Sequence, residues 1–310
     1  MDDENFFKIF AARPTLFICA AFCARARRSG QGLRATKSVP DFRIFYDENA
    51  TSEQIDSGLD QILDFLRQNP HRVNDELGEY CDRLFTPFIF NAKMYNAGEI
   101  DFERIEKALK FKPDLNYKTV IASPICNSAL LLMPLPSGQK SKLSEADVIR
   151  LVKLLVRHGA DANDKFVLSC VYGANGFGIF KELLSMNADM SEIALQIAVD
   201  MRSFAYENGY TLKFGEAVNL KAAQFGKSEK FREFYREKMR YFEEFLKFKS
   251  LKEINKGGLR FFIETNLALD NAKAIEFLLK NGLCELLQEC EFLRKKAKNY
   301  GAAEVLKLKF

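Results

Sequence analysis

The chain of 310 residues contains no tryptophan and only two histidines, His71 and His158. Histidine is the side chain most often used for acid–base catalysis and metal binding near neutral pH, so few positions are open to either chemistry. No apolar run approaches the roughly 20 residues that a membrane-spanning helix needs. All eight prolines lie at or before Pro136, so the C-terminal half can form long, uninterrupted helices. We therefore expect no catalytic residue, no cofactor, no bound metal and no small-molecule substrate.

The seven cysteines are odd in number and scattered along the chain. This pattern argues against a disulfide framework and favours a reducing, cytoplasmic compartment. Cys19 and Cys23 lack the second pair of ligands that a zinc site requires. Cys170, with His158 nearby in sequence, is interpreted as a buried helix residue rather than a nucleophile.

The net charge of +4 is unevenly distributed. Residues 1–40 and 292–310 are basic, whereas the middle of the chain is acidic. A dedicated nucleic-acid binder is expected to present a face of one sign, which this distribution does not provide. The basic ends nevertheless define an alternative function, the peripheral binding of an anionic membrane or nucleic acid through the two terminal segments.

Residues 1–45 form a basic N-terminal segment that we interpret as part helix and part linker. PTLFICAAFCA (14–24) is a short apolar run followed by three arginines. A secretory signal in residues 1–26 would make the chain an exported protein, but the acidic start and Pro14 are atypical of such signals. We therefore favour a buried helix, followed by a flexible basic connector over residues 27–40.

The best-defined helix and stop lie in residues 147–163, DVIRLVKLLVRHGADAN. Apolar residues recur there at spacings of three and four, which places them on one helix face. They are Val148, Leu151, Val152, Leu154 and Leu155. Asp147 is predicted to cap the start, and Gly159 is predicted to end the helix in the left-handed conformation that glycine adopts without a Cβ penalty.

Four other segments repeat this design of an apolar helix face followed by Gly, Asn or Pro. They are LDQILDFLRQNPHRVN (59–74), FERIEKALKFKPDLN (102–116), GIFKELLSMNADM (178–190) and AKAIEFLLKNGL (272–283). Candidate first helices lie between or beyond them, namely TPFIFNAK (86–93), SPICNSALLL (123–132), KFVLSCVYGANG (165–176), AVNLKAAQFGKSEKF (217–231) and KAKNYGAAEVLKL (296–308). Such recurrence is typical of an array of helix–turn–helix repeats.

This pattern resembles the ankyrin repeat family. Residues 147–163 are similar to the second helix and following turn of an ankyrin repeat. Thr86–Pro87 and Ser123–Pro124 are similar to the start of the family's Thr-Pro-Leu-His motif, with Thr86 predicted to cap a helix that Pro87 begins. The histidine of that motif is replaced by Ile89 and Cys126.

The resemblance implies that residues 46–310 form an all-α, ankyrin-type helical solenoid of stacked helix–turn–helix repeats with hairpin-like loops. It also implies a non-catalytic function, in which a monomer binds an unidentified protein partner through the concave groove lined by loops and first helices. The candidate partner-binding residues near the rim of that groove are Asn74, Asp75, Asn116, Asp161, Asn163 and Asp164. For any one of them taken singly, a turn-forming role is the simpler interpretation.

The proposed repeats are unevenly spaced, and the first three turns lie further apart than the family's repeat of about 33 residues. We assign the excess to insertions in the turn-like stretches 94–101 and 133–142. Residues 227–248 predict a helix much longer than a second helix of the family. Its aromatic stripe is interpreted as core packing, with a binding seam for a partner or a second copy as the alternative.

Overall fold

The computed structural model describes residues 42–47, 49–77, 82–117, 123–133, 140–164, 166–212, 220–287 and 290–308. Regular structure in these residues is almost entirely helical, which confirms the all-α class. The α-helices are α1 (Ser52–Gln68), α2 (Thr86–Ile89), α3 (Ala92–Ala97), α4 (Phe102–Leu109), α5 (Pro124–Leu130), α6 (Glu145–Arg157), α7 (Val167–Gly173), α8 (Phe177–Ser185), α9 (Ile193–Glu207), α10 (Leu220–Gly226), α11 (Glu229–Phe248), α12 (Lys256–Ala268), α13 (Ala272–Lys280), α14 (Leu283–Leu287) and α15 (Cys290–Tyr300).

Short 3₁₀ helices and one hairpin complete the regular structure of this part of the chain. The 3₁₀ helices are Phe42–Tyr46, Pro70–Arg72, Leu251–Glu253 and Val305–Lys307. The hairpin pairs β1 (Glu76–Leu77) antiparallel with β2 (Asp82–Arg83), with Glu76 opposite Arg83. No helix of the described ranges is both long and apolar enough to cross a bilayer.

The described residues divide into two compact units, with the boundary between Ala188 and Asp189. The predicted N-terminal segment, residues 1–45, lies almost wholly outside the described residues, as do Cys19 and Cys23. Its last residues form the first 3₁₀ helix, in which Phe45 is fully buried against α1. The end of that segment therefore already belongs to the first packed unit.

Helix α1 shows how local sequence sets a helix boundary. The Oγ1 atom of Thr51 accepts a hydrogen bond from Gln54 N at 3.2 Å, and Gln54 Oε1 accepts one from Thr51 N at 2.9 Å. This reciprocal capping box satisfies two backbone donors that the helix cannot satisfy itself. The buried face consists of Ile55, Gly58, Leu59, Ile62, Leu63, Phe65 and Leu66. It agrees with the apolar face predicted for residues 59–74.

Helices α5 to α8 form a two-layer block in the first unit. Helix α5 packs against both α6 and α7, and α8 packs against both α6 and α7. Helices α5 and α7 thus form one layer, and α6 and α8 form the other. The α2 helix extends the first layer because it also packs against α5.

The start of α6 differs from the prediction, whereas its end agrees with it. Ser144, not Asp147, caps the helix: Ser144 Oγ accepts from Asp147 N at 3.1 Å and donates to the Asp147 carboxylate at 2.6 Å. Asp147 therefore acts as the third helical residue of a box-like cap. The helix ends at Arg157, and Gly159 has a φ of +98°, as predicted for a left-handed stop.

The prediction that Thr86 caps a helix is wrong. Thr86 is the first residue of α2, and its side chain is fully buried. Its Oγ1 accepts a hydrogen bond from Arg83 N at 3.1 Å and lies 2.6 Å from the hydroxyl oxygen of Tyr117. The Thr86 hydroxyl therefore links the β1–β2 hairpin, through Arg83, to the loop that contains Tyr117.

The prediction that residues 94–101 form a turn-like insertion is only partly right. Helix α3 continues to Ala97, and Met94 and Tyr95 are buried. The Oδ1 atom of Asn91 caps this helix by accepting from Met94 N at 3.2 Å. The turn begins at Gly98. Most of the other predicted insertion, residues 134–139, lies outside the described residues.

In the second unit, α9 packs along α12, and α12 also contacts α13 and α15. Helix α10 ends at Gly226, where the chain turns towards α11. A Cβ atom at Gly226 would lie 2.3 Å from the carbonyl oxygen of Leu269, so only glycine permits this close approach. Gly226 thus stands at the passage from one helix to the next, within the segment 217–231 that was predicted to contain a first helix.

The interpretation of the 227–248 stripe as core packing is confirmed. Helix α11 runs from Glu229 to Phe248 and is capped by Ser228, whose Oγ accepts from Phe231 N at 3.2 Å. Phe231, Met239, Phe242 and Phe245 are buried, and the ring of Phe234 stacks on Phe204 of α9 with centroids 4.1 Å apart. The long helix is therefore held by aromatic contacts.

The last predicted repeat, residues 296–308, is only partly formed as expected. Its first part lies in α15, but the segment does not continue as an α-helix, and its end contains the 3₁₀ helix Val305–Lys307. The Oδ1 atom of Asp270 accepts hydrogen bonds from Glu304 N at 2.9 Å and Val305 N at 3.3 Å. These bonds hold the end of the chain against the turn between α12 and α13.

Candidate functional site

The predicted partner-binding residues lie on three successive loops of the first unit. Asn74 and Asp75 follow α1, Asn116 follows α4, and Asp161, Asn163 and Asp164 follow α6. All six residues are exposed or half-buried. We call residues 74–75, 114–116, 161–164 and Phe166 the loop surface.

The side-chain amides of Asn74 and Asn116 each bond to the backbone of the next loop. The Oδ1 atom of Asn74 accepts from Asp114 N at 2.7 Å, and that of Asn116 accepts from Asp161 N at 2.7 Å. Asn116 Nδ2 also donates to the carbonyl oxygen of Gly159 at 3.1 Å. These bonds join residues that are 40 to 45 positions apart in the chain. The two asparagines thus hold neighbouring loops together.

The aspartates of the loop surface stabilise the turns in which they lie. Asp161 Oδ1 accepts from Asn163 N at 2.8 Å, and Asp164 Oδ1 accepts from Phe166 N at 2.9 Å. Asp75 pairs with Arg72 at 2.5 Å. A carboxylate that accepts from the amide two residues later closes an Asx turn. The turn-forming interpretation therefore applies to Asp161 and Asp164, whose carboxylates still carry negative charge at the surface.

Phe166 is a member of the loop surface that the sequence did not reveal. Its side chain is 43% exposed, one of the largest apolar exposures among the described residues. It directly precedes α7 and lies in the same turn as Asp164. An exposed phenylalanine beside carboxylates is the kind of anchor that protein interfaces bury. The sequence signal that could have identified Phe166 is a large apolar residue directly after a run of turn-forming residues.

A cluster of salt bridges around Arg104 joins α1 to α4. Arg104 pairs with Asp60 at 2.8 Å, with Asp101 at 2.5 Å and with Asp56 at 3.3 Å. The hydrogen bond from Arg104 lowers the pKa of Asp60. Burial opposes ionisation of Asp101, but hydrogen bonds from the backbone and side chain of Arg104 lower the pKa of that carboxyl too. Both carboxylates are therefore ionised at neutral pH.

Cys170 lies at a buried contact between α5 and α7. Its thiol interacts with the thiol of Cys126, and both cysteines are free and buried. The hydrogen bond with Cys126, together with burial, raises the pKa of Cys170 well above its ordinary value. A protonated, enclosed thiol is a poor nucleophile. This placement supports the interpretation of Cys170 as a helix-packing residue.

Residues 174–176 form the turn between α7 and α8. The backbone N–H of Gly178 donates to the carboxylate of Glu145 at 2.6 Å. Glu145 therefore supplies the negative charge at the start of α8.

Two observations on the described residues concern metal sites and disulfides. These residues contain no group of three or more His, Cys, Asp or Glu side chains that could hold a metal. Cys284, in α14, is disulfide-bonded, although the number and scatter of the cysteines argued against a disulfide framework.

The basic C-terminal stretch is partly used in packing. Lys296 donates to Glu264 of α12 at 2.7 Å, and Arg260 donates to the same carboxylate at 3.1 Å. Burial opposes ionisation of Glu264, but these two hydrogen bonds lower its pKa below the ordinary value. Lys295 and Lys298 remain exposed. The basic N-terminal residues lie outside the described ranges.

Comparison of the chain with protein-family models, with curated proteins and with solved structures found no match.

Proposed function

We propose that the chain is a non-catalytic ankyrin-type repeat protein that binds another protein through the loop surface at the rim of a concave groove. The observation that carries the proposal is the pair of asparagines, Asn74 and Asn116, whose amides bond to the next loop. A binding surface made of loops needs such bonds because ordering flexible loops at the moment of binding costs free energy.

The packing of the first unit supports the repeat arrangement. Helices α2, α5 and α7 contact one another in sequence, and α6 contacts α8. First helices beside first helices, and second helices beside second helices, are what a stack of helix–turn–helix repeats requires. The loops that end α4 and α6 then lie side by side, as the Asn116 hydrogen bonds require.

The chemistry of the loop surface supports a protein partner. Phe166 offers an apolar anchor, and Asp161 and Asp164 place negative charge around it. Apolar anchors within a polar rim are the usual organisation of protein interfaces. We therefore expect the partner to present an apolar depression bordered by basic side chains.

A capture experiment with matched variants tests this function. The variant Asp161→Asn, Asp164→Asn and Phe166→Ser keeps the side-chain acceptors of the turns but removes two charges and the anchor. The control Asp64→Asn, Glu99→Gln and Tyr206→Ser makes similar changes at exposed residues outside the loop surface. Partners that wild type and control recover from a lysate should be absent with the loop variant. Equal recovery by all three proteins would contradict the proposal.

A monomer in the cytoplasm is the accompanying proposal. The free thiols of Cys126 and Cys170 support a reducing compartment, whereas the disulfide at Cys284 does not. Fractionation of cells that express a tagged full chain would test the location, and light scattering of the purified chain would test the monomer.

A further inference from the structure

A cavity of about 430 Å³ opens within the second unit. One side is formed by α11, and the opposite side by the turn between α12 and α13 together with Glu304. We call this space the α11–α13 cavity. Its volume lies within the range of about 300–1,000 Å³ that is usual for ligand sites.

Apolar side chains form part of the lining of the α11–α13 cavity. They are Phe231 and Met239, both buried, and the half-buried Tyr235. The rings of Phe231 and Tyr235 lie 6.3 Å apart and nearly parallel. Burial and the charge of Glu243 raise the pKa of Tyr235, so its hydroxyl stays a hydrogen-bond donor at neutral pH. Methionine adapts its shape readily to an apolar group placed against it.

The mouth of the cavity carries positive charge that is not neutralised. Arg236 and Lys273 are exposed there, and within the described residues neither makes an ion pair. Arg232 lies beside them, with only a long contact of 3.8 Å to Glu229. Asn271 and Ala272, at the start of α13, also line the cavity, so the positive end of that helix lies beside it.

The acidic residues of the cavity wall are mostly satisfied by other groups. Asp270 accepts from two backbone amides and lies 3.4 Å from Lys227. Glu304 pairs with Lys307 at 2.8 Å and with Lys227 at 3.3 Å. Glu243 is the remaining acid and is opposed by three cations. The charged side chains that line the cavity therefore carry a net positive charge.

We propose that the α11–α13 cavity binds a short segment of a partner protein in which one apolar side chain is flanked by carboxylates. The apolar side chain would fill the space above Met239, and the carboxylates would pair with Arg236 and Lys273. Complementary charges around an apolar depression orient the bound segment and raise its rate of association. The inference goes beyond the proposed loop surface, which belongs to the first unit, and does not depend on it.

The shape and lining of the cavity favour a peptide over a nucleic acid. Single-stranded nucleic acid needs exposed aromatic faces for base stacking and a row of cations along its backbone. Phe231 and Tyr235, the rings in the lining, already stack on each other with centroids 6.3 Å apart, which leaves no row of free ring faces for successive bases. The cations converge on one opening, which suits a compact acidic segment.

Fluorescence anisotropy with the full chain tests this inference directly. The probe is a labelled, blocked peptide with a central phenylalanine and two acidic residues on each side. It should bind wild type and should lose affinity by about tenfold or more for Arg236→Glu with Lys273→Glu. Peptides with lysine in place of the acidic residues, or serine in place of phenylalanine, should not bind.

Two further variants keep the test interpretable. The control Lys252→Glu with Lys256→Glu makes the same change of net charge at exposed positions that do not line the cavity, and should leave affinity unchanged. Ala272→Trp should block binding by filling the cavity without altering charge.

Equal binding of the acidic and basic peptides would overturn the inference. So would tighter binding of single-stranded DNA or of phosphatidylserine vesicles that the Arg236 and Lys273 reversals abolish. The loop-surface variant should bind the peptide normally, which separates this outcome from the proposed function.

Discussion

The two units use similar helices but different means of holding them. In residues 42–188, polar side chains join successive elements: Asn116 bonds to the next loop, and Arg104 binds three carboxylates. In residues 189–308, aromatic rings also join helices, beside polar links such as the hydrogen bond from Lys296 to Glu264. Phe242 contacts Phe262 of α12 and Phe277 of α13, with ring centroids 5.4 and 5.5 Å away.

This difference follows from where the prolines and aromatic residues lie. Prolines punctuate the first unit, so its helices are short and many backbone groups lie in loops, where polar side chains satisfy them. The second unit has no proline and contains α11, a helix of 20 residues with a long aromatic face. A long helix buries enough apolar surface to be held mainly by packing. The comparison indicates that the helices of one chain can be held together in two ways.

The largest expected effect is on the aromatic core of the second unit. Phe242→Ala should lower the free energy of unfolding by about 4 kcal/mol, because a fully buried ring is replaced by a cavity. Urea denaturation followed by circular dichroism would measure it, and hydrogen exchange would localise it to residues 189–308. Phe248→Ala on the same helix, where the ring is 45% exposed, should cost much less. Similar losses for both variants would show that burial of aromatic rings is not what chiefly stabilises this unit.

The next effect concerns the close approach at Gly226. Gly226→Ala should cost about 3 kcal/mol, because the new Cβ would meet the backbone oxygen of Leu269, which cannot rotate away. Gly159→Ala is the matched change in the first unit. It adds only the strain of a left-handed φ, about 1 kcal/mol, since no atom lies within 4 Å of the new Cβ. Equal costs in urea denaturation would contradict the role assigned to Gly226.

A smaller effect is expected for the asparagines that join the loops. Asn116→Ala removes two hydrogen bonds and should cost about 2 kcal/mol, whereas Asn74→Ala removes one and should cost about 1 kcal/mol. Both should increase hydrogen exchange in the loops that follow α4 and α6 and leave residues 189–308 unchanged. If neither variant changed exchange in those loops, the polar links would not be what holds them.

The smallest effect is the pH dependence of the Arg104 cluster. The pKa values of Asp60 and Asp101 are lowered by Arg104, so their stabilising contribution is complete above the unfolded pKa, near 3.8. It is lost as the pH falls through the lower folded values. The stability difference between wild type and Arg104→Gln should therefore shrink from about pH 5 to about pH 2. Arg67→Gln, at an exposed pair with Asp64, should show a small difference throughout. A difference that grew on acidification would contradict the assignment.

Much of the helical structure could be predicted because its signals are local. The stripe of α11 and the glycine stop at Gly159 were found from spacing and residue type alone. Errors occurred where a neighbour in sequence competed for the same role. Ser144 displaced Asp147 as a cap because it lies one position before the helix. Helix α3, capped by Asn91, continues to Ala97, inside the stretch 94–101 that was interpreted as a turn.

The candidate site was less predictable. The positions of Asn74 and Asn116 in loops followed from the helix stops, but their bonds to the next loop did not. Thr86 was predicted to cap a helix and instead contacts Tyr117, 31 residues away in sequence. Such pairings depend on which loops meet after packing, and no local pattern records that.

The sequence by itself determined the all-α class, the helix faces and most helix ends, because periodicity and backbone preference act over a few residues. Tertiary structure alone decided which polar side chains face solvent and which hold another loop. It also brought Arg236 and Lys273 to one opening over Met239, although the two cations lie on different helices. The physical reason is that helix packing sets these distances, and packing depends on the shapes of surfaces formed by residues far apart in the chain.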